Sequence, residues 1–284
     1  MAEVILEARN LVYRFPGNTD ATLRGLNLKI VAGERLALLG ANGAGKTTLL
    51  LHLNGTLRPQ TGSVLLDGQP VGHDRNSLAQ WRRQVGVVLQ ESDDQLFAAT
   101  VAEDVSFGPL NLGLSEAETR QRVTETLGAL QIASLANRPP HLLSHGQRKR
   151  AAIAGILAMR PRILILDEPT AGLDHQGKIH LLAILSHLSD TGTTIVFSTH
   201  DVDFAYAWAD TAALFADGRV LEQGPITTIM TRTSLLQAAN LAPPMVLVLQ
   251  DTLRHNGIAI PTNPPARTLE ALAGIMTDKL FQMG

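Results

Sequence analysis

The sequence predicts an α/β fold: a parallel sheet with a small antiparallel β subdomain, an inserted α-helical subdomain and a C-terminal helical appendage. The sheet is indicated by short apolar strands such as RILILD and TTIVFST, and by the helical segment QGKIHLLAILSHL between them. Strand–helix–strand alternation of this kind gives parallel strands with right-handed crossovers. In addition, helical periodicity replaces strands over about residues 91–160, which predicts an insertion into that core.

The ends of the chain differ in pattern from this core. Residues 1–35 alternate apolar and polar side chains between glycine-containing turns, which predicts the small antiparallel sheet. Beyond residue 225, prolines divide the sequence into short helical segments. We therefore expect a main domain over 1–225, whose helical subdomain covers about 91–160, and a C-terminal helical extension over 226–284.

Composition excludes several classes of function. The net charge is −2 and aromatic residues make up 4%, so neither a basic nor a base-stacking surface for nucleic acid is indicated. The absence of cysteine excludes disulfides and metal–thiolate sites. No apolar run approaches the ~18–20 residues of a membrane-spanning helix, and the N-terminus lacks the pattern of a secretory signal. We expect a soluble chain, for which any membrane role comes through a partner.

The segment GANGAGKT follows a short apolar strand and precedes a helix with apolar residues on one side. It matches the phosphate-loop pattern G-x-x-x-x-G-K-[ST], in which backbone N–H groups surround a phosphate. Lys46 would neutralise phosphate oxygens, and the Thr47 hydroxyl would bind Mg²⁺. Because both flanking contexts are those of the motif, a chance glycine-rich turn is disfavoured. The predicted nucleotide-binding residues here are Gly40, Ala41, Asn42, Gly43, Ala44, Gly45, Lys46, Thr47 and Thr48.

Other apolar strands end in residues suited to phosphate chemistry. RILILDEPT contains Asp167, which could hold Mg²⁺, and Glu168, which could take a proton from an attacking water. TIVFSTHD places His200 at the carboxyl end of a strand, where α/β sheets bind their ligands. Gln90 follows the strand VGVVL and, taken alone, is equally well explained as an ordinary strand-end polar residue. An acidic turn and a capped surface histidine are the plainer alternatives for the other residues.

The segment HLLSHGQRKR predicts a helix start, because Ser144 and Gln147 have the spacing of a capping box. A helix N-terminus with Gly146 beside it is also suited to bind an anion. The sequence therefore contains a second segment suited to bind an anion, besides the phosphate loop. The basic residues that follow are predicted to form a solvated helix face: Arg148, Lys149 and Arg150.

Two aromatic residues, Tyr13 and Phe15, precede the phosphate loop. Either ring could stack on the flat base of a nucleotide. For single aromatic residues in a strand, packing into the core is the commoner explanation, so the residues alone leave both possibilities open.

Taken together and in order, these motifs resemble the nucleotide-binding subunit of an ABC transporter over about residues 3–225. The family places its adenine-stacking aromatic at Phe15, with Tyr13 as a nearby substitute, and its signature usually has glycine where this chain has His145. The motifs that carry the resemblance are Walker A at Gly40–Thr47, the Q-loop at Gln90, the signature at Leu143–Gln147, Walker B with its catalytic glutamate at Asp167 and Glu168, the D-loop at Ala171–Asp174, and the H-loop at His200.

The resemblance implies a P-loop NTPase with the ABC-ATPase fold that hydrolyses ATP in the presence of Mg²⁺. Glu168 would then activate water, and His200 would touch the γ-phosphate. The residues implied to hold Mg²⁺ are Thr47, Gln90 and Asp167. The residues implied to be catalytic are Glu168, His200, Lys46 and Gln90.

In this family two subunits close head-to-tail, and the signature helix of one completes the ATP site of the other. The resemblance therefore implies a second ATPase subunit as a partner, in a homodimer if it is a second copy of this chain. His145 is expected to face solvent or that partner. Nucleotide contacts are implied for Ser144, Gly146, Gln147 and Asp174.

The segment Asp93–Leu114 is similar to the ATPases of energy-coupling-factor importers, especially those of the cobalt/nickel type. In transporter ATPases this region lies beside the groove that receives a coupling helix from the membrane subunit, and its mixture of apolar and acidic residues fits such a contact. Some of its apolar residues are also expected to pack the helical insertion. The region after about 226 resembles the extension that helps two such ATPases associate.

The resemblance thus implies an ATPase that powers cobalt or nickel uptake as a peripheral subunit on the cytoplasmic face of the cell membrane. Its expected partners are a transmembrane coupling subunit and, indirectly, a substrate-binding membrane subunit, with no nucleic acid. The transported metal is not expected to bind this chain, whose nine histidines are scattered. The alternatives are a vitamin-importing ATPase of the same machinery, possibly in a heterodimer, and a soluble ABC ATPase without a transport role. A P-loop kinase or GTPase is disfavoured by the signature and by His200.

Overall fold

The computed structural model describes residues 3–91, 95–261 and 265–283. Its strands form two sheets, one mainly parallel and one antiparallel. In chain order the strands are β1 (Val4–Tyr13), β2 (Leu23–Val31), β3 (Arg35–Leu39), β4 (Thr61–Leu66), β5 (Gln69–Pro70), β6 (Val85–Val88), β7 (Ile163–Asp167), β8 (Thr194–Thr199), β9 (Thr211–Ala216) and β10 (Arg219–Pro225).

The helices occupy the segments between and after these strands, in the positions that crossover connections require. In chain order they are α1 (Lys46–Leu53), α2 (Arg75–Gln84), α3 (Val101–Asn111), α4 (Glu116–Ala129), α5 (His145–Leu157), α6 (His175–Asp190), α7 (Val202–Trp208), α8 (Ile226–Ile229), α9 (Thr233–Ala238), α10 (Met245–His255) and α11 (Leu269–Met283).

The larger sheet has the strand order β10-β9-β3-β8-β7-β6. The pairings from β9 through β3, β8 and β7 to β6 are parallel, whereas β10 pairs antiparallel with β9. Strands β7 and β8 are buried along their whole length, as expected where helices cover both faces of a parallel sheet. The predicted α/β fold is confirmed.

The smaller sheet has the order β2-β1-β4-β5, with β1 antiparallel to both β2 and β4. The alternation in residues 1–35 therefore predicted the right structure. Alternate side chains of this sheet point into a core cluster that also contains Leu49, Leu50 and Leu53 of α1. This cluster anchors the antiparallel sheet on the helix that follows the phosphate loop.

Helices α3, α4 and α5 form the predicted helical insertion. Helix α4 begins with a capping box: the Ser115 hydroxyl accepts from the Glu118 N–H, and the Glu118 side chain accepts from the Ser115 N–H. Helix α2 was not predicted, and Trp81 is its buried residue. It begins at Asp74, whose carboxylate accepts from two backbone N–H groups of its first turn.

Helices α8 to α11 pack on the main body of the chain. Ile226, Leu236, Val246 and Leu272 belong to the same buried cluster as Leu214 of β9. The helical extension therefore shares a core with the parallel sheet, while the domain boundary near residue 225 stays a prediction. No helix within the described residues is long and apolar enough to cross a membrane.

Candidate active site

The segment Gly40–Thr47 makes the turn between β3 and α1. Gly43 and Gly45 have φ angles of 80° and 105°, in a backbone region that residues with a Cβ seldom adopt. A Cβ at Gly40 would overlap the carbonyl oxygen of Phe215, because the loop passes directly against β9. The loop thus needs glycine for its backbone conformation at two positions and for space at a third.

Lys46 begins α1 and is 6% exposed. Its Nζ donates to the carbonyl oxygens of Gly40 at 2.6 Å and Ala41 at 3.1 Å, so the ammonium lies over the loop. Burial lowers the pKa of Lys46 below its usual 10.5, and the nearby Glu168 and Asp167 carboxylates act in the opposite direction. A phosphate bound in the loop would favour the charged ammonium and offset the effect of burial.

Asp167, the last residue of β7, is 2% exposed and accepts two side-chain hydrogen bonds. The Thr47 hydroxyl donates to its Oδ2 at 2.6 Å, and the Ser198 hydroxyl donates to its Oδ1. Hydroxyl and carboxylate oxygens are the hard ligands that Mg²⁺ prefers, so this pair fits a magnesium site beside the phosphate loop. Ser198, near the end of the neighbouring strand β8, has no predicted role.

Glu168 lies directly after β7 with a φ of 45°, in the left-handed region. Its N–H donates to the Ser198 carbonyl oxygen at 3.2 Å and to the Ser198 hydroxyl at 3.1 Å. This backbone conformation costs a residue with a Cβ about 1–2 kcal/mol, so it persists because neighbouring groups hold it. The strand end is therefore shaped to turn the Glu168 carboxylate toward the sheet edge.

Oε1 of Glu168 lies 2.9 Å from Nδ1 of His200, and Oε2 of Glu168 accepts from the Thr199 hydroxyl at 3.3 Å. The Glu168 side chain is 8% exposed, whereas the His200 side chain is 62% exposed. The histidine thus lies on the solvent side of the carboxylate, where a bound phosphate could reach its ring. Such a pairing can orient a carboxylate that accepts a proton from water.

Gln90 lies two residues beyond β6 and is exposed. Its position after the strand next to β7 agrees with the predicted strand-end location. The structure brings its backbone close to the catalytic edge, since the Gln90 carbonyl oxygen accepts from Lys149 at 3.3 Å. A contact of its side chain with Mg²⁺ or water stays a prediction.

The segment around Ser144 starts α5, as predicted. The Ser144 hydroxyl accepts from the Gln147 N–H at 3.3 Å, and the Gln147 side chain accepts from the Ser144 N–H at 3.0 Å. Ser144 is exposed and Gly146 is half-buried. The N-terminus of this helix, with its positive dipole end, therefore faces outward and can meet an anion from outside the subunit.

His145 is exposed, in line with the expectation that it faces solvent or a partner. Its ring also lies against Gly172, where a Cβ would overlap its Cδ2 and Nε2 atoms. Gly172 has a φ of 73° and belongs to the segment Ala171–Asp174. Asp174 uses its carboxylate to cap α6, accepting from the Gly177 N–H at 2.7 Å. The predicted nucleotide contact of Asp174 stays a prediction.

The prediction of a solvated basic face on α5 is wrong. Lys149 is 0% exposed, and its Nζ donates to the carbonyl oxygens of Glu168, Gln90 and Asp167 at 3.1, 3.3 and 3.4 Å. The sequence did contain a signal, because Lys149 lies on the same helical stripe as Ala152, Ile153 and Ile156. That stripe faces the sheet. The flanking arginines are half-buried, and each donates to a backbone carbonyl: Arg148 to Leu143 and Arg150 to Leu130.

The two candidate adenine-stacking rings pack edge-to-face, with their centroids 5.0 Å apart. Tyr13 is also 4.7 Å from the buried His52 ring and contributes to the core of the smaller sheet. Phe15 is 37% exposed. Phe15 is therefore the ring that is more accessible to a ligand, and Tyr13 packs against it from the core of the smaller sheet.

A groove of about 400 Å³ lies between α2, α3 and α5. Phe97 and Phe107 are 66% and 51% exposed at its side and pack edge-to-face, 4.8 Å apart. Asp104 accepts from the backbone N–H groups of Phe97 and Ala98, which fixes this wall. Two residues of the predicted coupling segment, Asp93 and Asp94, lie outside the described residues.

The carboxyl ends of β3, β7 and β8 therefore bring together a phosphate loop, a Thr47–Asp167 pair and a Glu168–His200 pair. This arrangement can bind a nucleotide phosphate beside a divalent cation and present a carboxylate to water. Within the described residues, no cluster of three or more histidine, aspartate or glutamate side chains is arranged to hold a metal ion.

Comparison with known proteins gives consistent results. The family model for ABC transporters matches residues 23–171. The cobalt import ATP-binding protein CbiO of Rhodobacter capsulatus is 56% identical over 96% of this chain and 97% of its own length. The energy-coupling factor transporter ATP-binding protein EcfA of Methanocaldococcus jannaschii is 48% identical over 88% of this chain and 89% of its own.

Solved structures agree with these relatives. The structure of cbiO1 from Clostridium perfringens, described as part of the transporter complex cbiONQ, has a TM-score of 0.73 and 40% identity over 88% of this chain and 99% of its own. A dimeric ATP-binding cassette in a post-hydrolysis state with ADP and phosphate has a TM-score of 0.72 and 29% identity, covering 78% of this chain and 99% of its own.

Proposed function

This chain belongs to the ABC transporter family, as an ATP-hydrolysing subunit of the energy-coupling-factor type, and we propose that it powers the import of cobalt ions. The observation that carries the proposal is the 56% identity with a cobalt import ATPase over nearly the whole of both chains. Nickel and vitamins are the alternative substrates, and a membrane subunit would select among them.

The reaction follows from the arrangement at the sheet edge. Backbone N–H groups of the phosphate loop hold the nucleotide, and Lys46 stabilises the negative charge that develops on the transferred phosphate. Glu168 accepts a proton from the attacking water at its carboxylate, while His200 orients that carboxylate and faces the γ-phosphate. Mg²⁺, held by Thr47 and Asp167 with Gln90 as the third candidate ligand, would add positive charge beside the phosphates.

The second ATP-binding element, at the start of α5, acts on a neighbouring copy. Ser144 is exposed and Gly146 is half-buried, so the start of α5 is open to a phosphate from outside the subunit. In a head-to-tail homodimer the Ser144 hydroxyl and the N–H groups around Gly146 would donate to the γ-phosphate bound by the partner. The similar cassette with ADP and phosphate is dimeric, which supports a dimer of this chain.

The C-terminal extension supplies a second contact between copies. Met245, Val248 and Leu249 on α10 are 61%, 48% and 39% exposed, and their i, i+3, i+4 spacing places them on one face. Pairing this face with its equivalent would remove apolar surface from water in a symmetric contact. This supports the predicted role of residues 226–284 in dimerisation.

The groove between α2, α3 and α5 receives a helix of the transmembrane coupling subunit. Exposed apolar side chains and the adjacent Arg82 and Arg83 suit an amphipathic helix laid into a hydrophobic groove. The Clostridium perfringens relative is part of an ABC transporter complex, which supports an assembly of this chain with other transporter subunits. The chain would then be a peripheral protein on the cytoplasmic face of the cell membrane.

Cobalt uptake with the Glu168→Gln variant tests the proposal. In cells lacking the natural gene, the unchanged chain should restore cobalt uptake, and Glu168→Gln should restore none, because the proton acceptor is lost. The purified variant should still bind ATP, accumulate as a dimer and hydrolyse about 10²-fold more slowly or worse. Glu116→Gln, which neutralises an exposed carboxylate on α4, is the matched control.

Two outcomes would count against the proposal at different levels. A Glu168→Gln variant with unchanged turnover would reject the proton acceptor. Restored uptake of nickel or a vitamin, with cobalt uptake absent, would show that cobalt is not the substrate, while the role of the chain as a transport ATPase would stand. Purification from membranes without a transmembrane protein would instead favour a soluble ABC ATPase.

A further inference from the structure

We propose that Lys149 is a positioning residue that fixes Glu168 and Gln90 relative to the signature helix α5. The proposal rests on the proposed role of Glu168 as the proton acceptor. The Lys149 side chain is fully buried, and its ammonium donates to the carbonyl oxygens of Glu168, Gln90 and Asp167 at 3.1 to 3.4 Å. A single side chain of α5 thus connects the residues that follow the neighbouring strands β6 and β7.

An ammonium in this location must be held by specific contacts. Burying a charge is unfavourable unless it is paired, and an apolar side chain would fit the stripe formed with Ala152 and Ile153 at less cost. Burial lowers the pKa of Lys149, and the Asp167 and Glu168 carboxylates oppose that change. The three carbonyl oxygens and the two carboxylates together keep a cation at the catalytic edge.

The most direct effect of Lys149 is on the backbone of Glu168. That residue has a φ of 45°, a conformation that surrounding contacts must hold. Ser198 binds its N–H from one side, and Lys149 binds its carbonyl oxygen from the other. Loss of Lys149 leaves the Ala171 N–H, at 3.1 Å, as the other donor to that carbonyl, so the backbone that positions the Glu168 carboxylate is held less firmly. Small misplacements of a catalytic group lower the rate strongly.

The same ammonium reaches the segment that leads into the groove. Gln95, five residues after Gln90, lines the groove; its side chain accepts from the Leu89 N–H and donates to the Val87 carbonyl oxygen. Lys149 itself lies one turn beyond the start of α5. The side chain therefore ties the signature helix, the catalytic strand end and the groove-side segment at one point.

Steady-state ATP hydrolysis by the purified full-length chain tests this role, with Lys149→Met compared with Arg150→Met. Both substitutions remove a cation from adjacent positions of α5, but Arg150 donates to Leu130, away from the catalytic edge. We expect Lys149→Met to lower kcat at least about tenfold while the Kd for ATP changes less than about twofold. Arg150→Met should leave both within about twofold.

Conservative variants separate positioning from packing. Lys149→Gln, which keeps amide donors without the charge, should have a kcat between those of Lys149→Met and the unchanged chain. If the Met variant does not fold, a kcat of Lys149→Gln more than twofold below the unchanged chain is the expected result. A kcat within twofold of the unchanged chain, in either Lys149→Met or a folded Lys149→Gln, would overturn the proposal. An active Glu168→Gln variant would instead remove the premise, so the two failures are distinguishable.

Discussion

The two segments of this chain that are proposed to bind ATP are built in opposite ways. At the ends of β3, β7 and β8, Lys46, Asp167 and Glu168 are nearly buried and bonded to neighbouring groups of the same subunit. At the start of α5, Ser144 is exposed, and the bonds of its capping box stay within one helical turn. One segment is organised by its own subunit, and the other is presented outward.

In the proposed head-to-tail dimer, one copy would hold the catalytic groups of a site in place and the other would supply a helix start. A catalytic carboxylate and a metal pair need fixed distances, which a packed strand end supplies. A helix start that binds phosphate needs only its N–H groups and its dipole, so it can act across a closing interface. Hydrolysis can then depend on dimer closure without rebuilding the catalytic edge.

The largest expected effect comes from placing a negative charge at the outward segment. Gly146→Asp should lower ATP turnover by about 10²-fold, because the carboxylate repels the phosphate that this helix start is proposed to meet. The added Cβ has room, since its nearest neighbour is Leu173 at 3.4 Å. Gly128→Asp, on α4 with open space around it, is the control. Equal turnover in the two variants would show that the start of α5 does not meet the nucleotide.

A smaller effect is expected from loosening the catalytic edge. Ser198→Ala removes the hydroxyl that donates to Asp167 and accepts from the Glu168 N–H. We expect about a tenfold loss of kcat, as is usual when a group that orients a metal ligand is removed, and a loss of about 1–3 kcal/mol in unfolding free energy. Ser106→Ala, in α3, should change neither. An unchanged kcat would mean that the edge is held without Ser198.

The smallest effect on turnover is expected at the contact between His145 and Gly172. Gly172→Ala should lower the free energy of unfolding by about 1–2 kcal/mol for its φ of 73°, and by a further amount because its Cβ overlaps the His145 ring. Adding His145→Gly should remove only that further amount, and His145→Gly alone should leave turnover within about twofold.

Gly192, which lies in a turn, is the control position for the contact between Gly172 and His145. Its φ is 97°, and a Cβ there would meet open space, so Gly192→Ala reports backbone strain without overlap. Denaturant unfolding of the variants measures the difference. An equal loss in Gly192→Ala and Gly172→Ala would show that the His145 ring does not constrain Gly172.

Sequence reasoning predicted the motifs well, because each is a local pattern. A short apolar strand followed by Gly40, Asp167 or His200 indicates a sheet edge, and parallel strands bring such ends together. The capping box of Ser144 and Gln147 is local in the same way. These patterns were sufficient for the fold, the family and the α5 start.

Features that depend on which side of an element faces inward were harder to predict. The prediction that Lys149 lies on a solvated face is wrong. It was based on the charge of the side chain, whereas Lys149 lies on an apolar stripe of α5 and is buried. Helix α2 was missed, since Trp81 is its one buried side chain and no apolar period accompanies it. The separate exposures of Phe15 and Tyr13 depend on how β1 ends, which composition does not determine.

The central claim, that each ATP site is shared between two copies, is tested most directly by mixing two inactive variants. Lys46→Ala lacks the phosphate-loop cation, and Gly146→Asp lacks a working signature helix. Half of randomly formed dimers contain one subunit of each variant. Each of these mixed dimers has one complete ATP site where the unchanged dimer has two, so we expect about a quarter of the ATPase activity of the unchanged chain. A mixture as inactive as its components would contradict the claim.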